Sequence, residues 1–85
     1  MSKSYIHFHA SIAIANLSIY KFLSLADSIT DDDDRITLLV FMYDIFLAES
    51  EHKQFILDMA KELLLIDKYK LTVSKNFNKI ASKDS

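Results

Sequence analysis

Four aspartates stand side by side at residues 31–34, inside the stretch SITDDDDRITLL. A run of carboxylates could hold a divalent cation. A calcium loop of the EF-hand type needs oxygen ligands at alternate positions, a central Gly and a Glu at position twelve. Counted from Asp31, position five is Arg35, position six is Ile36 and position twelve is Met42, so the motif fails three times. Magnesium-assisted phosphoryl chemistry needs a Gly-rich loop around the phosphates, and the chain contains no Gly. DDDDR also resembles a protease-recognition tag, but core-like sequence follows it at once. The remaining role is structural. Thr30 or Asp31 can cap a helix N-terminus, with the other aspartates in its first turn against the exposed N–H groups and the partial positive charge.

Other constellations point to ordinary roles. His7 and His9 would share one face of a strand and could chelate a metal there. On a helix they lie about 200° apart and cannot. Glu49 and His52 form the Glu-x-x-His pair of di-iron bundles. The segment before Asp27 holds no Asp or Glu to complete such a site, and the pair lies in a polar stretch that reads as solvated. Asp44 is the single acid in the apolar block ITLLVFMYDIFL. Buried there, it would need a partner, and Lys21 is the expected one if the first two helices run antiparallel about the aspartate turn. No nucleophile, base and oxyanion donor are grouped by the sequence. No enzyme activity, cofactor or metal is therefore expected.

The elements that must position these residues are helical. The chain has 85 residues, no Gly, no Pro and no Cys, with 51% hydrophobic side chains. Primed β-hairpin turns lean on Gly or Asn, so a sheet is poorly supplied, and disulfides and thiolate metal sites are excluded. From Phe8 the apolar positions run Phe8, Ile12, Ala15, Ile19, Phe22, Ala26, Ile29. These three- and four-residue spacings are those of one packed helix over 4–28. A strand-like alternation competes over YIHFHASIAI, and again over YKLTVSKNF near the C-terminus. The second helix, 31–48, is apolar nearly all round and must be covered from more than one side. The polar run 48–54 divides it from a third, with Ser50 as the expected cap, because an unbroken helix of about 75 Å would outrun its cover. The third helix, 51–81, has the clearest seam: Ile56, Met59, Leu63, Ile66, Lys70, Val73, Phe77 and Ile80.

The expected fold is therefore all-α, a single domain built as a small three-helix bundle. So short a chain leaves much apolar surface uncovered, so homo-oligomerisation is expected to complete the bundle, most simply as a dimer. The interface with itself or another partner is expected at Ile56, Met59, Leu63, Ile66, Val73 and Phe77. Charge is uneven. Residues 1–48 carry three basic and six acidic side chains, whereas 68–85 carry five lysines against Asp84 alone. Lys68, Lys70, Lys75 and Lys79 could meet an acidic partner or a phosphate backbone, or Lys75, Lys79 and Lys83 could balance the aspartate turn at the same end of the bundle. Residues 10–26 are apolar enough to suggest a signal peptide, but Asn16 and Lys21 interrupt them, and a membrane span needs about 20 mostly apolar residues. A cytoplasmic location is expected. The function expected from these exclusions is that of a small non-enzymatic binding protein, an adaptor, regulator or inhibitor of another protein. A nucleic-acid-binding regulator using the C-terminal lysines is the alternative. Size and composition suit an accessory gene of a phage or plasmid.

Overall fold

In a computed structural model, residues 2–48, 50–71, 73 and 74 are described, and among these the secondary structure is helix and turn with no strand. Helix α1 covers Ser2–Ala15, α2 covers Ile19–Ser28, α3 covers Asp32–Ala48 and α4 covers Lys53–Leu63. A short 3-10 turn, Ser50–His52, joins α3 to α4, and a further helical segment covers 67–71. The all-helical class expected from the absence of Gly and Pro is present.

The expected helix over 4–28 is divided. Leu17 has φ 50°, the left-handed conformation. The Leu17 N–H donates to the Ile14 carbonyl and the Ser18 N–H to the Ala13 carbonyl. Together these bonds make a Schellman ending. The Asn16 side chain adds a bond to the Ile12 carbonyl at 2.8 Å, and the Ser18 hydroxyl caps α2 by accepting from the Lys21 N–H. The turn resets the helical phase. In α1 the buried positions are Ile6, Ala10, Ala13 and Ile14, while Phe8 and Ala15 of the expected seam are exposed. In α2 the seam holds through Phe22 and Ala26, and Ile29 beyond it is buried.

Helix α1 packs against both α2 and α3, α2 packs against α4, and α3 meets α4. The core draws on every helix, with Phe22, Leu38, Met42, Ile56, Met59 and Leu63 sealed from solvent. Helix α3 is not apolar-buried all round. Leu38, Leu39, Met42 and Phe46 face inward, and Ile36, Val40 and Leu47 face out. The break after α3 falls in the expected polar run. The residue that caps α4 is His52, without a side-chain cap bond, in place of Ser50.

The expected long helix over 51–81 bends at 64–66, where the Leu65 N–H bonds the Glu62 carbonyl and the Ile66 N–H the Leu63 carbonyl. The bend brings 67–71 back onto the end of α2. The Lys68 ammonium donates to the Asp27 carbonyl at 2.8 Å, and the Tyr69 hydroxyl to the Ala26 carbonyl at 3.3 Å. Carbonyls in the last turn of a helix lack intrahelical partners; Lys68 supplies one to Asp27, and Tyr69 adds a second donor to Ala26 beside the Ile29 N–H. The Ser28 hydroxyl supplies one more, to the Leu25 carbonyl.

Candidate docking groove

The aspartate turn resolves as a helix start. Asp31 precedes α3, and its Oδ2 accepts from the Asp34 N–H at 3.2 Å, the N-cap bond. Asp32, Asp33 and Asp34 fill the first turn. Arg35 straps the turn, with Nη1 donating to the Thr30 carbonyl and Nη2 paired with Asp32. Two of the four carboxylates are thereby engaged locally. Among the described residues, no group of three or more His, Asp or Glu lies close enough to hold a metal ion.

The expected Lys21–Asp44 pair is not formed. Both residues are exposed, and the ion pairs among the described residues are Arg35–Asp32 and His52–Glu51. The reason is the packing order: α3 lies against α1, so the hairpin assumed about the aspartate turn does not put Lys21 and Asp44 face to face. Glu49 lies outside the described residues, as do Lys75, Phe77 and Lys79.

The expected interface residues Ile56, Met59, Leu63 and Val73 have no exposure in the single chain, and Ile66 is half-buried. They belong to the chain's own core. Lys68 is half-buried and bound to α2, which leaves Lys70 exposed.

Among the described residues, a concave surface lies along the seam of α1 and α2. A groove of about 520 Å³ is lined by Tyr5, His9 and Ile12 from α1 and by Tyr20, Lys21, Ser24, Leu25 and Ser28 from α2. The spacings are helical: Tyr5, His9 and Ile12 form one row, and Tyr20, Ser24 and Ser28 another. Ile12 and Leu25 are the more buried of the apolar lining residues, while Tyr20 is 81% exposed. The His9 ring is flanked by Tyr5 at 6.0 Å and Phe8 at 5.4 Å, both edge-to-face. Phe8, 62% exposed, extends the aromatic rim. The lining thus offers one ammonium, one imidazole, two phenols and two hydroxyls over an apolar base, and no carboxylate.

His7 points elsewhere and stacks on Phe41 of α3, with ring centroids 4.7 Å apart. The two histidines therefore lie on different sides of α1, as the helical reading requires. A second exposed feature runs along α3, where Ile36, Val40, Asp44 and Leu47 are open to solvent at one-turn spacings.

The sequence reading missed the groove because it took Phe8, Ile12 and Ala15 as the buried phase of α1. The alternative phase, Ile6, Ala10 and Ala13, carries the signal that would have found it. It turns Tyr5 and His9 outward toward α2. No protein-family model matches the chain, and neither does any curated protein or solved structure. No helix among the described residues is long and apolar enough to cross a membrane.

Proposed function

We propose that this chain is a non-enzymatic helical binding module that docks helical segments, from a second copy of itself and from a protein target, and so acts as an adaptor, regulator or inhibitor. The observation that carries this reading is the groove between α1 and α2, aromatic at its rim, apolar at its base and open to solvent. The seam of two packed helices is where a third helix lays its apolar face. Tyr and Phe are enriched in the cores of protein interfaces, and Tyr is among the residues that carry most of their energy. Catalysis has less to stand on. His9 is flanked by rings, with no carboxylate beside it in the groove to orient it as a base.

The reading is tested by capture on the intact chain and on a Tyr20→Glu variant, with circular dichroism as the folding control. A polypeptide retained by the first and lost by the second supports docking at the groove. Salt-sensitive retention of random DNA or RNA, unchanged by Tyr20→Glu and abolished by Lys70→Glu, would move the function to nucleic acid.

A further inference from the structure

The occupant of the groove is legible in the chain itself, granted the docking reading above. The groove is an acceptor for apolar side chains plus one negative charge. Its one permanent charge is Lys21, its base is Ile12 and Leu25, and its other polar groups are neutral or basic. The row from Tyr20 to Ser28 spans about 12 Å at 1.5 Å per residue, roughly two helical turns.

Helix α3 carries the matching donor. Ile36, Val40 and Leu47 are large, apolar and exposed, and Asp44 stands exposed between the last two. From Ile36 to Leu47 the stripe runs about 16 Å, enough to fill the groove. It joins three apolar side chains to a single carboxylate on one helical face. No ion pair engages that carboxylate, and Lys21 is equally unengaged among the described residues.

We propose that the α1–α2 groove of one copy receives the exposed face of α3 from a second copy, with Val40 and Leu47 on the apolar base and aromatic rim and Asp44 paired with Lys21. Groove and stripe lie on different elements of the same chain, so the contact closes as a two-fold dimer when each copy's stripe fills the other's groove. Lys21 and Asp44 are the pair expected to meet within one chain. The packing order separates them there, and association rejoins them between chains. Nucleic acid is a poorer occupant, since one lysine cannot track a phosphate backbone.

The test is a charge exchange read by sedimentation at submillimolar concentration. Wild-type protein is expected to sediment above the monomer. Lys21→Asp and Asp44→Lys, both at exposed positions, should each weaken association about tenfold, with helical content unchanged. An equimolar mixture of the two variants should recover association, because the Asp at position 21 of one then meets the Lys at position 44 of the other. Lys70→Asp, at an exposed lysine outside the groove lining, should leave association at the wild-type level. A monomeric wild-type chain, single variants that associate normally, a mixture that stays dissociated or an equal effect of Lys70→Asp would each overturn the proposal. A monomeric chain that still loses its captured target on Tyr20→Glu would overturn this occupant while leaving the groove as a docking site.

Discussion

Two junctions in this molecule face the same problem and answer it differently. Both connect helices without Gly or Pro. The one at 29–31 ends α2 and starts α3 with partners for its backbone and a buried anchor: Asp31 caps α3 through Oδ2, Ile29 is 1% exposed, and Tyr69 and Lys68 close the carbonyls of α2. The one at 16–18 satisfies its backbone with a Schellman turn, yet places Leu17 in the left-handed region with 57% of its surface exposed. The left-handed region costs a non-Gly residue about 1–2 kcal/mol. The first junction is thus held by tertiary contacts, and the second is held locally against its own side chain. The comparison teaches that a tight helical turn can form without Gly, but that its strain then remains unless packing or a binding partner offsets it.

The sharpest way to break the comparison is at the anchors. Ile29→Ala should lower unfolding free energy by about 2–5 kcal/mol, the range for truncating a buried large aliphatic side chain. Leu17→Ala should change it little. Chemical denaturation of the two variants measures the difference, and equal losses would mean that Leu17 is also an anchor.

The caps come next. Asp31→Ala should cost about 1 kcal/mol through loss of the N-cap bond, and Leu17→Gly should gain about 0.5–1 kcal/mol by relieving the positive φ. Opposite signs in thermal melts would establish that one junction is optimised and the other strained. A loss on Leu17→Gly would place a compensating contact at that side chain.

The smallest effect concerns Tyr69. Desolvation by burial pushes its phenol well above the ordinary value, with opposing help from Arg35. A phenol raised on folding loses its proton first in the unfolded chain, so its contribution is complete below about pH 10 and falls as pH rises beyond that. Tyr69→Phe should cost about 0.5 kcal/mol at neutral pH, since the bond to Ala26 is long at 3.3 Å and Ile29 already donates to the same carbonyl. Above pH 10 the variant should lose stability less steeply than the wild type. Parallel alkaline titrations would show that Tyr69 is not the group that couples the junction to pH.

Legibility in the sequence followed the range of the forces. The aspartate run was readable as a helix start because capping acts within one turn, through partial charges set by the chain's own backbone. The polar stretch 48–54 was readable as a break for a similar reason. The seam Ile56, Met59, Leu63 was readable as an apolar face and is expected at an interface, yet the same pattern serves a chain's own core, where these residues are buried. The groove was less legible still. Tyr5, His9, Tyr20 and Lys21 are unremarkable by type, and their grouping depends on a turn at 16–18 that carries no Gly to announce it.

What the sequence determined by itself was therefore the helical class, the start of α3 and the apolar face of α4. Helix formation, capping and amphipathic spacing are properties of contiguous residues, and the absence of Gly and Pro left few alternatives. The tertiary structure alone decided that α1 and α2 are separate, that α3 lies on α1, and that the chain after α4 turns back to close the end of α2. Those outcomes rest on burying Ile6, Phe22 and Tyr69 together and on partnering the carbonyls of Ala26 and Asp27. Such energies arise between residues distant in sequence, and no local pattern encodes which of them will meet.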